Sequence, residues 1–440
     1  MNGWGDPIAL IRVEPAALIR EYLLLGLRFD RIETGYVDAF TGDPALRQTV
    51  LAEPAPDPAA LVRQAVRLLA WLPNIPHSNG FDQARADYIG AHLRALACAG
   101  RKLAGEDIGF VDEVHDYFDV HIAKGEVETY RQAHARLDDV LGDLALSGPL
   151  AERMEAYRAA EEIPPNRLAE CIEAFSSALR DRVRAEYPLP DTETVEYQVV
   201  TDQPWSGFNY YLGDYRSTVA VNADVKQLMS NLPRLVAHES YPGHHTEHCR
   251  KEAGLVNGKG HAEQTIFLVN TPQCLMAEGL ADLALYAAIG PRWGHWASEI
   301  YADLGLRFDG ERAEAVSEAS AALAGVRQDA ALMLHDEHRD ADEVAAFLRR
   351  WLLVNDSRAR QMLRFLSSPL WRAYTSTYVE GYRLLRRWLD DRPAGVSLAE
   401  RFGRLLDEPL IPSALPADSS DDDAVGAPPA AQRRGGRAVR

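Results

Sequence analysis

The stretch His238-Glu239-Ser240-Tyr241-Pro242-Gly243-His244-His245 gathers three histidines and a carboxylate into eight positions, in a chain of 440 residues with only 13 histidines. Helical hydrolases hold zinc with two histidines one turn apart on one helix face, and a glutamate beside the first acts as general base. His238-Glu239 supplies the first half of that pattern, but four residues on stands Pro242, which cannot ligate. On a straight helix with ~100° and ~1.5 Å per residue, His245 would point within ~20° of His238 yet lie ~10 Å along the axis. Zinc–nitrogen bonds of about 2.1 Å require ring nitrogens within about 4 Å of each other, so a straight helix cannot make the site. Pro242 lacks a helical N–H and clashes with the carbonyl of residue 238, which predicts a bulge or break at Pro-Gly. A bulge that absorbs two residues puts His244 in the one-turn position and turns His245 to another face. The reading is His238 and His244 as ligands, Glu239 as base, and His245 as a supporting group or alternative ligand.

Outward from this block, the fold reads as mostly α. Apolar residues recur at three and four spacing from Pro58 to Ala104 and from Val127 to Glu186, among strong helix formers. Pro188, Pro190 and Pro204 mark a change, and Thr194 to Thr201 and Ser217 to Asn222 have the β-branched content of strands. Helical patterning resumes near Val225, breaks at Gly254 to Gly260 and at Gly290-Pro291, and continues through Ala313 to Leu334, Asp340 to Leu353 and Leu370 to Leu389. This predicts a large helical domain with a small sheet beside the motif. Residues 1–190 form an N-terminal helical region packed on a catalytic region at 191–412, one continuous domain in all. Residues 413–440, rich in Pro, Ala, Asp, Gly and Arg without periodicity, read as a disordered tail.

The net charge of −18, from 65 acidic against 47 basic residues, repels phosphate backbones and anionic lipid surfaces. Nucleic acid and membrane are therefore not expected as partners. The first thirty residues lack a basic stretch followed by an apolar core and a cleavage site, so a cytoplasmic location is the expectation. Cys98, Cys171, Cys249 and Cys274 are far apart and form no C-x-x-C pair, which leaves no disulfide framework and no thiolate zinc site.

The block HESYPGHH resembles the signature of the bacterial family known as domain of unknown function 885, read as metallopeptidases. Leu24 to Pro44 resembles that family's N-terminal element, Asn222 precedes the motif as in the family, and Glu278-Gly279 resembles its downstream Glu-Gly block. Tyr378-Val379-Glu380-Gly381 resembles its C-terminal Tyr-x-x-Gly element, so the matches span nearly the whole chain before the tail. The family is similar to the glutamate-zincins, or gluzincins, such as angiotensin-converting enzyme, the thimet-type oligopeptidases and the helical carboxypeptidases, which place Gly before the second ligating His. Gly243-His244 takes that place here. The resemblance implies a zincin-like fold, one zinc ion, Glu278 as third ligand and short peptides as substrates. Leu280-Ala281-Asp282 departs from the family's aromatic pattern, which bears on pocket specificity.

Each of these residues also has a plainer reading. Glu278 would equally suit a buried carboxylate on a helix that starts at Thr271-Pro272, and Glu263 and Glu247 compete with it. Tyr374, Tyr378 and Tyr382 form a four-residue stripe typical of core packing; the functional reading makes Tyr378 the donor to a developing oxyanion. His335 is a cleft residue or a helix C-terminal histidine. His245, Glu247 and Asp282 are available to orient the ligands. Ser217 to Asn222 is the candidate strand edge for an extended peptide, with Asn222 as a substrate contact. A terminal carboxylate could meet Arg216, Lys226, Arg372 or Arg383. The function expected is hydrolysis of peptide or amide bonds of short peptides. The alternatives are a metal-dependent amidase of a non-peptide metabolite and a non-catalytic helical binding protein with a degenerate metal site.

Overall fold

A computed structural model describes residues 14–75, 80–142, 147–202 and 206–415. Most of them are helical, as the periodicity predicts. Proline occupies the first turn of α1 (Pro15–Asp30) and α2 (Pro58–Trp71), where its missing N–H costs nothing. The Asp57 carboxylate caps α2 by accepting from the amides of Ala59 and Ala60. α2 packs along α3 (Gln83–Leu103) to build the N-terminal layer.

Five short strands interrupt the described helices: β1 (Val37–Phe40), β2 (Thr194–Val200), β3 (Gly207–Gly213), β4 (Arg216–Asn222) and β5 (Ile266–Leu268). β1 and β5 form an antiparallel ribbon, with Val37 opposite Leu268. The other three form a sheet of order β2-β4-β3, parallel between β2 and β4 and antiparallel between β3 and β4. Asp214 and Tyr215, both at positive φ (52° and 60°), make the two-residue turn between β3 and β4 that suits the twist of a hairpin. The strands expected at Thr194 and Ser217 are β2 and β4. β1, β3 and β5 are additions, and β3 changes one expectation. β4 lies between two neighbours and has no free edge, so an extended peptide cannot add to it. β2 and β3 are the edge strands instead.

The second half continues with α4 (Leu232–Glu239) and α5 (His244–Lys251), separated by the Ser-Tyr-Pro-Gly break. α6 (Pro272–Ile289) is the central helix, with 14 of its 18 residues buried. Thr271 precedes it as expected but does not cap it; its hydroxyl donates to the Leu268 carbonyl at 2.7 Å. α7 (Val326–His335), α8 (Asp356–Leu366) and α9 (Tyr382–Asp390) follow. The helix expected from Leu370 starts only at Thr375 and widens into a π-turn at Thr377–Gly381 before α9.

One apolar core runs from Leu18 to Leu415 and draws on both halves of the chain. Residues 413–415, expected in the tail, belong to the fold: Pro412–Ala414 forms a turn, the Ser413 amide donates to Asp119 at 3.0 Å, and Leu415 is buried. The rest of that expectation lies outside the described residues. Among the described residues no single helix is long and apolar enough to cross a membrane.

Candidate metal centre

The chain leaves α4 at Ser240 and re-enters a helix at Gly243. The Tyr241–Pro242 peptide bond between them is cis. Two backbone hydrogen bonds span the break with six-residue spacing, Gly243 N–H to the Ala237 carbonyl at 2.9 Å and Thr246 N–H to the Ser240 carbonyl at 3.2 Å. Helical bonds span four residues, so two extra residues are accommodated here. Gly243 is required by proximity: a Cβ there would lie 1.9 Å from the His238 carbonyl oxygen. The same closeness brings the His244 ring back over His238, with the planes at 89° and the Nε2 atoms 3.2 Å apart.

Glu278, on α6, completes the group. Its Oε2 is 3.4 Å from His238 Nε2, and its Oε1 is 3.6 Å from His244 Nε2. Tetrahedral bonds of about 2.1 Å place ligand atoms about 3.4 Å apart, so the three separations fit one cation. Two further features fit it. Glu278 Oε2 is buried without a hydrogen-bond partner among the described residues. His238 Nδ1 faces Asp282 Oδ1 at 3.1 Å, and donation to that carboxylate leaves the Nε2 lone pair pointing at the gap. His238, His244 and Glu278 therefore form a cluster able to hold a metal ion.

α6 reaches this position by packing backbone to backbone on the π-turn. A Cβ on Gly279 would lie 2.5 Å from the Gly381 carbonyl, and one on Gly381 would lie 2.5 Å from that of Leu275. The contact sets Tyr374 against α6, where its hydroxyl donates to Glu278 Oε1 at 2.7 Å. Sequence reading singled out Tyr378 from that stripe and passed over Tyr374. Tyr378 packs edge-on against Tyr374 at 5.6 Å. Burial first, then the charges of Glu278 and Asp282, raise its pKa well above the ordinary tyrosine value.

The surrounding charges are tightly linked. Burial opposes charge on His238, but hydrogen bonds with Asp282 and Glu278 outweigh it and raise its pKa well above the usual value. His244 is raised in the same way through Glu278. Burial raises the Glu278 carboxyl too, but the two histidines more than reverse this and hold it far below the carboxylate range. Glu239 is buried, and desolvation raises its pKa against the opposing pull of His238 and His244. Its Oε1 has room because β3 contributes a glycine: a Cβ on Gly207 would stand 3.2 Å away. Asn209 Nδ2, also on β3, donates to the Glu239 carbonyl at 2.6 Å. Asp38 on β1 was not singled out in the sequence. Desolvation, opposed by His244 and reinforced by the charges of Glu278 and Glu239, pushes its pKa up to about 7.

The remaining sequence candidates lie elsewhere. His245 does not join the cluster as an orienting group; its Nε2 meets Glu193 at 3.0 Å and its Nδ1 meets Ser217 at 2.8 Å, which ties α5 to β4. Glu263 forms a buried two-point ion pair with Arg85 at 2.7 Å, and Glu247 pairs with Lys251. Asn222 is 1% exposed, too buried to touch a substrate, and its Oδ1 accepts from the Asp224 amide in the turn after β4. His335 ends α7, bonded to the Leu366 carbonyl at 2.7 Å, and lines another groove with Phe110 and Arg372.

No protein-family profile and no curated protein matches this chain. Among solved structures it is similar to a candidate lipoprotein from Colwellia psychrerythraea, with 15% sequence identity over 81% of this chain and a TM-score of 0.49. The chain spans 65% of that protein's length, just under two thirds. It is also similar to a candidate lipoprotein of unknown function from Shewanella oneidensis, with 14% identity, a TM-score of 0.46, and coverage of 80% of this chain and 70% of that one.

Proposed function

We propose that this protein is a zinc-dependent hydrolase of peptide or amide bonds in short substrates. The observation that carries this reading is the convergence of His238, His244 and Glu278 on one point, with buried Glu239 next in sequence to the first of them. Zinc held there supplies Lewis acidity toward a carbonyl oxygen and lowers the pKa of water to about 7. Glu239 accepts the proton of the attacking water and returns it to the leaving amine, and its raised pKa suits both transfers. Asp282 holds the His238 ring with Nε2 forward, and Tyr374 fixes the Glu278 carboxylate, so two of the ligands arrive oriented. Tyr378 keeps its proton and serves as donor to the carbonyl oxygen as negative charge develops. The edge strand β3, whose Gly207 adjoins the Glu239 carboxyl, is the strand along which an extended substrate backbone runs.

The same reading places the chain with the family known as domain of unknown function 885, on the motifs given above. Glu239→Gln tests the mechanism. It should bind zinc as the parent does and lower turnover of a short-peptide substrate by about 10²-fold or more. A zinc-loaded variant with full activity would remove Glu239 from the reaction.

A further inference from the structure

The basic residues that the sequence offered as carboxylate receptors are all paired with acids. Arg216 meets Asp214 at 3.8 Å, Lys226 meets Glu162 at 2.6 Å, Arg383 meets Glu380 at 3.3 Å, and Arg372 is bonded to Glu113. Along β3 the unmatched groups are acceptors instead. The side of β3 that faces α4 and α5 presents Gly207, Asn209 and Tyr211 in succession. A Cβ on Gly207 would lie 3.2 Å from Glu239 Oε1, Asn209 donates to the Glu239 carbonyl, and the Tyr211 ring stacks on His248 of α5 at 4.5 Å. With ~3.4 Å per residue, Tyr211 stands ~14 Å along the strand from Gly207. There the way along β3 closes, because the chain leaving β1 comes up against it: a Cβ on Gly213 would lie 3.2 Å from Thr41.

A cavity of about 20 Å³ lies at this closed end, with Thr41, Tyr211, Glu247, Lys251 and Gln273 in its walls. It has room for one water-sized group. Glu247 is 3% exposed and Gln273 6%, and each keeps one buried oxygen, Glu247 Oε2 and Gln273 Oε1, with no hydrogen-bond partner among the described residues. A buried acceptor left unsatisfied costs about 1–3 kcal/mol, and more when it is charged, so both oxygens call for a donor. The other groups are already engaged. Glu247 Oε1 holds Lys251 Nζ at 2.5 Å, and Glu252, also in the lining, accepts from the Tyr211 hydroxyl at 2.6 Å. Two carboxylates thus face one ammonium, while burial keeps His248 neutral, so the lining carries one negative charge in excess. Gln264 Nε2 is the third buried atom of this lining without a partner, and half a turn of that amide offers its oxygen instead. An ammonium group is water-sized, carries three donors and brings the missing positive charge.

We infer that this cavity receives a primary ammonium group, namely the free amino terminus of a short peptide stretched antiparallel along β3, with Glu247 and Gln273 as its acceptors. This rests on the hydrolase reading and narrows it: an extended chain held at Tyr211 meets Glu239 about four residues from its amino end, and the cut falls there.

The test gives the full-length zinc-loaded protein one peptide in three forms: with a free amino terminus, N-acetylated, and N-acetylated with lysine as its first residue. The parent should favour the free amine over the neutral acetylated form by ~10- to 100-fold in kcat/KM, the span of a charge-assisted hydrogen bond. Mass spectrometry of the products should find the cut at a fixed distance from the amino end, moving with that end when one residue is added there. Glu247→Gln and Gln273→Leu should each reduce the preference, through KM; Gln273→Leu leaves the Glu247–Lys251 pair intact, so it reports on the site even where Glu247→Gln fails to fold. A preference for the acetylated lysine peptide that both variants abolish would keep the ammonium site and assign it to a side chain. Equal rates for free and acetylated peptide in the parent, or a cut that stays at a fixed distance from the carboxyl end, would overturn the proposal. Calorimetry on zinc-loaded Glu239→Gln with the free and acetylated peptides separates the two readings. Tighter binding of the free amine that is lost when Glu247→Gln is added, with no peptide cleaved by the parent, would sink the hydrolase and keep the receptor; equal binding of the two forms would sink the receptor.

Discussion

His244 and His245 are neighbours with opposite duties, and the difference can be measured one residue at a time. His245 is fully buried and shares a network with Glu193, Ser217 and Tyr241, whose hydroxyl donates to Glu193 at 2.7 Å. His245→Ala should keep zinc yet lose about 2–4 kcal/mol of stability in a denaturant titration, because it strips a partner from a buried charge. Glu193 gives that network a pH signature. Burial alone would raise its carboxyl, but the hydrogen bonds from His245, Tyr241 and Arg180 more than reverse this and bring it from 4.5 to about 2. The unfolded chain therefore takes up this proton at a higher pH than the folded one. The stabilisation, about 3 kcal/mol, is complete above pH 4.5 and fades as the pH falls toward 2. Glu193→Gln should flatten the stability curve in that window; an unchanged curve would take Glu193 out of the account. Tyr374→Phe should weaken zinc binding about 10- to 100-fold, the usual effect of releasing a ligand's support. His238, Glu239 and His244 were legible in the sequence because a proline break is a local event. Tyr374 was not, because it reaches the cluster through packing between segments far apart in the chain.

At the scale of elements, two close backbone approaches set the geometry of the His238, His244 and Glu278 cluster. One is within the α4–α5 break at Gly243, and the other is between α6 and the π-turn at Gly279 and Gly381. Gly381→Ala forces a methyl group to within 2.5 Å of the Leu275 carbonyl. It should cost about 1–3 kcal/mol by overpacking and weaken zinc binding as Glu278 and Tyr374 separate; a variant with parental stability and affinity would show that this contact does not position the ligands. The Pro-Gly pair announced the first approach by its chemistry. The second joins glycines a hundred residues apart, and nothing local in either segment signals it. β3 was missed for a related reason: with glycines at both ends and aromatic residues between, Gly207 to Gly213 lacks the β-branched run that betrayed β2 and β4. The edge role assigned to β4 failed because strand order is a property of the assembled sheet.

For the molecule as a whole, the helical class was legible from apolar periodicity, whereas the place of residues 413–415 in the fold was not. Leu415 packs into the same core as Leu18, so truncation after Pro412 should remove about 1.5–3 kcal/mol of burial and lower the melting temperature. A truncated chain that melts with the parent would show that Leu415 contributes nothing. The shared core also joins the region before residue 190 to the one that carries His238, His244 and Glu278, so the cluster is a product of the whole fold. The most direct measurement is therefore the zinc content of folded, metal-reconstituted protein by elemental analysis, for the parent, His244→Ala, Glu278→Gln and His245→Ala. One zinc per chain is predicted for the parent and for His245→Ala, with a large loss in the other two. A folded parent that holds no zinc, or a His244→Ala variant that keeps a full equivalent, would contradict the metal centre described here.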